Sequence, residues 1–130
     1  MSIDIHWYNE EKTLLQLILS GAWDWPDFEL AFYRGLEMTT GLDHTAHCMI
    51  EFVGQSRRPQ GNGLMHLKRM TKQISAYPNA GMCYLVNPNP FARSLIGLLL
   101  RVYGEDEHLI MTGSRDDAFR RMQSGQASAR

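Results

Sequence analysis

The side chains in this sequence that could do chemistry fall into a few small groups, and their spacing limits what each can do. Arg57 and Arg58 stand together in a polar stretch from Gly54 to Asn62. Two guanidinium groups beside the backbone N–H groups of a helix start suit an anion such as a carboxylate or a phosphorylated partner; the plainer alternative is a solvated arginine pair. His44, His47 and Cys48 crowd together as metal ligands do. Once His47 enters a strand, however, Cys48 points to the opposite face, and no second pair has metal-ligand spacing. Asp24 with Asp27, and Asp116 with Asp117, are near enough for paired-carboxylate chemistry, but each pair falls within one helical first turn, where capping accounts for it. Gly61 and Gly63 lack the full glycine pattern and the lysine of a phosphate-binding loop. No Gly-x-Ser-x-Gly elbow and no nucleophile paired with a nearby base appears. The residues therefore predict a chain that is not an enzyme and carries no cofactor and no metal.

The elements that would position these groups are legible from periodicity. Ile3, Ile5 and Trp7 alternate with polar neighbours, a strand signal, and Asn9 to Lys12 turns the chain into a second strand from Thr13 to Leu19 as an antiparallel hairpin. Asp24 is a helix N-cap with Pro26 in the first turn, and Phe28, Ala31, Phe32 and Leu36 share one helical face. His47 to Val53 is an apolar strand buried on both faces. A helix opens at Gly63 with Leu64, Leu67, Thr71 and Ile74 as its buried stripe and His66, Lys68, Arg69 and Lys72 on other faces; Tyr77-Pro78-Asn79 ends it. Met82 to Val86 is a strand. Asn87-Pro88-Asn89-Pro90 hands over to a third helix, with Asn89 as cap, reaching Tyr103. His108 to Thr112 is the last strand, and Ser114 with Asp117 opens a final helix that packs through Ala118, Phe119 and Met122. The order is β-β-α-β-α-β-α-β-α. It implies an α/β fold with a mostly parallel five-stranded sheet, an antiparallel first strand and four helices, in one domain over residues 1–123 with a flexible tail at 124–130.

Bulk properties narrow the partners. The 130 residues suit a single domain with its own core. Thirteen basic and 14 acidic side chains leave a net charge of -1, so there is no basic field to attract nucleic acid. Met1-Ser2-Ile3-Asp4 has neither the basic end nor the apolar run of a signal peptide. The most apolar stretch, Leu95 to Val102, is too short to span a bilayer. Cys48 and Cys83 suit a reducing compartment as small apolar strand residues. The expectation is a soluble, cytoplasmic protein without stable membrane insertion.

The element order and length resemble the STAS domain, the fold of bacterial anti-sigma-factor antagonists, over Ile3 to Met122. Domains of that family are similar to this chain in following an apolar strand with a loop and a helix that opens on Gly-Leu, here Gly63-Leu64 after Met49-Ile50-Glu51-Phe52-Val53. Ser114-Arg115-Asp116-Asp117-Ala118 is similar to the family's acidic, alanine-containing start of the last helix. The resemblance implies a regulatory protein–protein interaction module. Antagonists carry Asp-Ser-Ser-Gly-Leu at that helix start, and a serine there is phosphorylated by a partner kinase. This chain reads Gln60-Gly61-Asn62-Gly63-Leu64, so the usual phospho-switch is absent.

The candidate partner- or ligand-binding residues follow from the carboxyl ends of the strands, where open parallel sheets gather ligands. They are Trp23 and Trp25 after the second strand, and Asn87 after the fourth. Between them, Gln55, Ser56, Arg57, Arg58, Gln60, Asn62 and Gly63 form the loop and its helix start. Trp23 and Trp25 form part of this edge or else cover the helix–sheet junction. On the third helix, Phe91, Leu95, Leu98, Leu99 and Val102 make a core stripe. Ile96, Leu100 and Tyr103 make a second apolar line, which is either a homodimer or partner surface or a wide core face. The alternative to a protein partner is a carrier or sensor of a small apolar or anionic ligand.

Overall fold

The computed structural model of the chain describes residues 3–54, 59–88, 90–103 and 109–128; of residues 100, 102, 103 and 124–128 only the backbone is described. Strands β1 (Ile3–Trp7) and β2 (Leu14–Ser20) form the hairpin, antiparallel from Ile3 opposite Leu19 to Trp7 opposite Leu15. Its turn is held by Asn9, whose side-chain amide donates to Thr13 Oγ1 (2.7 Å) and whose Oδ1 accepts the Thr13 N–H (3.1 Å). Then follow α1 (Trp25–Met38), β3 (Ala46–Val53), α2 (Gly63–Ile74), β4 (Ala80–Val86), α3 (Pro90–Tyr103), β5 (Leu109–Thr112) and α4 (Arg115–Ser128). The sheet order is β1-β2-β3-β4-β5, with every pair after the first parallel. The expected α/β architecture and element order are those observed; α4 runs on to Ser128.

The strand order never reverses. Crossovers of one hand, all stepping the same way, place α1, α2 and α3 on one face of the sheet. That layer is the main core: Leu17, Leu19, Ile50, Phe52 and Leu85 from the strands meet Phe28, Phe32, Leu67, Met70, Ile96 and Leu99 from the helices. On the opposite face, among the described residues, α4 alone packs, setting Ala118 and Met122 over Met49, Tyr84 and Val86. His47 lies on this second face, its ring edge-on to Tyr84, while Cys48 packs against the first. Strand alternation separates them, as anticipated.

Two helices sit differently from expectation. In α2 the buried face is Gly63, His66, Leu67, Met70 and Ile74, so Met70 replaces Thr71 and His66 turns inward rather than decorating the surface. Polar contacts to α1 allow this, as described below. In α3 the buried line is Ala92, Ile96 and Leu99, at i, i+4 and i+7. Phe91 stands exposed, and Leu95 and Leu98 are half-buried. Ile96, expected on a dimer or partner surface, is 1% exposed and belongs to the core. Ile96 thus joins Leu99 in the core, and Phe91 leaves it, because the helix is rotated so that the Ala92–Ile96–Leu99 line faces inward. The side chains of Leu100 and Tyr103 lie outside the described residues.

Candidate functional site

The loop before α2 is tied down at its end by α1. Asp24 caps α1 in a capping box with Asp27. Its Oδ1 also accepts the Gln60 N–H (2.8 Å), and the Trp25 N–H donates to the Gln60 carbonyl (3.0 Å). Gly61 follows at φ 107, left-handed backbone that favours glycine. Asn62 is the N-cap of α2: its Oδ1 accepts the Met65 N–H (3.1 Å) and its carbonyl the His66 N–H (3.1 Å). Gly63 is buried, and a Cβ there would lie 2.4 Å from Leu95 Cδ1 and 2.7 Å from Trp25 Cε2. Only a residue without a side chain lets α2 settle this close to α1 and α3.

That approach leaves an open groove of about 330 Å3 between the starts of α2 and α3. Trp25 and Gly63 line it on one side, Leu64 and Pro59 bound it, and Phe91, Ser94 and Leu95 form the α3 wall. Phe91 is 39% exposed. Among the described residues the Gly63 and Leu64 N–H groups make no hydrogen bond, as first-turn donors of a helix commonly do not. Trp25, 2% exposed, packs its indole edge against Gly63. Its Nε1 lies 2.8 Å from the position of a Gly63 Cβ. Trp23 Nε1 is buried and has no partner among the described residues; its ring is edge-on to Trp25 (5.2 Å, 87°) and to Phe28 (5.5 Å, 79°).

Buried charge sits elsewhere, in two clusters that the sequence did not announce. On the first face, Glu29 of α1 is 6% exposed. It takes a bidentate pair from Arg69 of α2, Nε to Oε2 at 2.8 Å and Nη2 to Oε1 at 2.7 Å, and also bonds Tyr33 Oη and His66 Nδ1. Arg69 is the main reason the Glu29 carboxyl is lowered from its ordinary 4.5 to about 2, against the opposing pull of burial. Burial first, then the Glu29 charge, push the Tyr33 hydroxyl up to about 12. This is a bolt between α1 and α2, with each carboxylate oxygen already committed. On the second face, Glu51 of β3 is bonded by the Gln16 amide and by Arg115 Nη2 (2.8 Å), and Gln16 in turn bonds His6 Nε2 (2.7 Å).

Among the expected site residues, the structure brings Trp25, Asn62 and Gly63 together at the groove, with Gln60 behind them in the clamp to Asp24. Trp23 and Trp25 do not form an exposed aromatic edge; both are buried in the helix–sheet core, because their indoles pack against each other and Phe28. Asn87 is set apart in a left-handed turn (φ 51), its N–H on the Thr112 carbonyl at 2.9 Å. Gln55, Ser56, Arg57 and Arg58 lie outside the described residues. Phe91, Ser94 and Leu95 were missed as groove residues, and the one available signal was Pro90 opening a helix at the same sheet edge. Among the described residues there is no group of three metal-ligating side chains, and no helix is long and apolar enough to cross a membrane.

No protein-family model matches the chain, and no curated protein matches it.

Proposed function

We propose that this chain is a non-catalytic regulatory module of the STAS type, which binds a protein partner through the edge where α2 and α3 begin. The observation that carries the reading is Phe91, a large apolar side chain left 39% exposed at the rim of an open groove. Such a residue beside a concavity is what an interface anchor fills or is filled by. The β-β-α-β-α-β-α-β-α order and the Gly63-Leu64 opening of α2 support the family reading. The positions equivalent to the family's phosphoacceptor are held by structural work instead: Gly61 by its left-handed backbone and Asn62 by its cap. Neither side chain accepts a phosphoryl group, so the partner is engaged without that switch. A second reading, a small-ligand carrier or sensor, is favoured by the concavity itself, about 330 Å3 and lined largely by apolar residues.

The test is affinity capture from source-cell lysate on three baits: wild type, Phe91→Arg, and Leu30→Arg. Leu30 is an exposed apolar residue of α1 and serves as a control. A protein retained by wild type and Leu30→Arg but lost on Phe91→Arg is the expected result. Equal recovery on all three, or an empty wild-type lane, sinks the reading.

A further inference from the structure

Strand β1 stands at one edge of the sheet, and β2 is its one neighbour among the described residues. In an antiparallel pair, alternate residues turn both N–H and C=O toward the partner strand or away from it. The Tyr8 N–H donates to the Leu14 carbonyl at 2.8 Å, continuing the register in which Trp7 lies opposite Leu15. Counting back by twos, His6 and Asp4 also aim their backbone groups at β2, while Ile3, Ile5 and Trp7 aim theirs outward. Those outward groups have no partner among the described residues. Sheet edges are commonly blunted by proline, lysine or a bulge. β1 has none of these: it reads Ile-Asp-Ile-His-Trp and pairs with β2 without a break in register.

The residues of β1 decide which strand fits that edge. Paired antiparallel with a second copy of itself, β1 can centre on Asp4, Ile5 or His6 and still set outward groups against outward groups. Centred on Ile5, it matches Ile5 with Ile5 and Ile3 with Trp7 at either end, three pairs that each exchange two N–H···O bonds. The other two centres keep only two such pairs. The Ile5 centre also sets Asp4 of each copy opposite His6 of the other, whereas the alternatives oppose Asp4 to Asp4 or His6 to His6. Within one chain His6 Nδ1 already lies 3.2 Å from Asp4 Oδ2, so two copies close a ring of alternating carboxylate and imidazole. On the first face the half-buried Ile3 and Trp7 gain each other as a β-branched–aromatic pair. The helix layer has room for this. A Cβ at Gly35 would lie 2.7 Å from Ile5 Cδ1 and 3.8 Å from Leu15 Cδ1, so α1 runs above the line between β1 and β2. With strands about 4.8 Å apart, the two α1 helices come to roughly 10 Å, an ordinary spacing for packed helices.

We infer that the chain pairs with a second copy of itself through β1, centred on Ile5, which joins two five-stranded sheets into one continuous sheet. The two-fold axis is normal to the sheet, so the α2–α3 edges of the two copies point in opposite directions and both stay open. The inference goes beyond the proposed function and is independent of what that edge binds.

The test is sedimentation equilibrium of the full chain from micromolar to millimolar concentration, with amide hydrogen exchange read by NMR on the same samples. The expected result is a dimer in which the Ile3, Ile5 and Trp7 N–H groups are protected along with those of Asp4, His6 and Tyr8. In any monomer present, only the second set is protected. Asp4→Lys sets an ammonium group opposite His6 of the second copy, twice in the symmetric pair. The Asp4 side chain is 70% exposed, so this variant keeps the fold, as circular dichroism would verify. Its dimer dissociation constant should rise at least about tenfold, because two attractive cross-strand pairs become repulsive. A single monomeric species at every concentration, a dimer whose Ile3, Ile5 and Trp7 amides exchange freely, or a dissociation constant unmoved by Asp4→Lys would each overturn the inference. Should the variant fail to fold, the exchange pattern of the wild type still decides.

Discussion

Replacing Glu29 by glutamine isolates the bolt between α1 and α2 with little change of shape. The carboxyl is displaced from 4.5 to about 2, and at ~1.4 kcal/mol per pH unit this sets a ceiling of about 3 kcal/mol on its contribution at neutral pH. Arg69, its main partner, is half exposed, and solvent screening reduces that figure; about 2 kcal/mol is expected. The sign follows from the direction. A carboxyl held low by the fold binds its proton more readily when unfolded, so its stabilisation is complete above pH 4.5 and is lost as pH falls from there to about 2. Urea unfolding followed by circular dichroism at pH 7, 5, 4 and 3 reads both magnitude and sign. At pH 7 the Glu29→Gln midpoint should fall by about 1–2 M, and the gap from wild type should narrow as pH falls from 5 to 3. Equal midpoints at pH 7, or a gap that stays constant down to pH 3, would refute the reasoning: the cluster would then be decoration on a fold held by its apolar core.

Ile96→Ala should cost about 2–4 kcal/mol in urea unfolding and leave the oligomeric state unchanged, because Ile96 is core; a shift in sedimentation without loss of stability would return it to a surface. Gly63→Ala and Gly97→Ala should move stability in opposite directions. The first forces a Cβ onto the wedged Trp25 ring and costs about 1–3 kcal/mol. The second, mid-helix with nothing within 4 Å, gains about 0.5–1 kcal/mol. Histidine ring resonances followed by NMR should show His47 titrating below 6.5, because burial disfavours its charge. Its Nδ1, which accepts the Met82 N–H at 2.9 Å, is then the unprotonated nitrogen of the neutral ring. His44, hydrogen-bonded to Asp43, should titrate above 6.5. The two curves in the reverse order would contradict the geometry.

The fold was largely legible because its signals are local. Alternation in β1, the capping box at Asp24–Asp27, the Ser114 cap on the Asp117 N–H, and the prolines that open or follow helices each act within a few residues of themselves. The faces of α2 and α3 were less legible. Their apolar residues fill more than half a turn, so periodicity allows neighbouring rotations, and the choice falls to residues far away in sequence. His66 reads as a surface residue until Glu29, 37 positions earlier, is brought against it. Likewise Gln16 and Glu51 read as the polar members of strands, and only their pairing with Arg115 explains how both are buried. The site was half legible: Asn62 and Gly63 carry local signatures, whereas Phe91 becomes a rim residue only because Ile96, and not Leu95, takes the core position on α3.

The strand order also explains why a groove exists where the usual crevice does not. In open α/β sheets, a crevice opens where the order reverses and neighbouring helices leave for opposite faces. With the order β1-β2-β3-β4-β5 there is no such point, and α1, α2 and α3 share one layer. A concavity at this edge must then come from how adjacent helices seat against one another. Gly63 provides it: without a Cβ, the start of α2 drops onto Trp25 and Leu95, while Phe91, at the head of the neighbouring helix, is left standing above that depression. The close approach and the exposed anchor are two sides of one packing event. A side chain at position 63 would therefore both strain the core and raise the groove floor, so changes in stability and in binding should track each other at that one position, whereas Phe91 and Ser94 should alter binding with stability nearly unchanged.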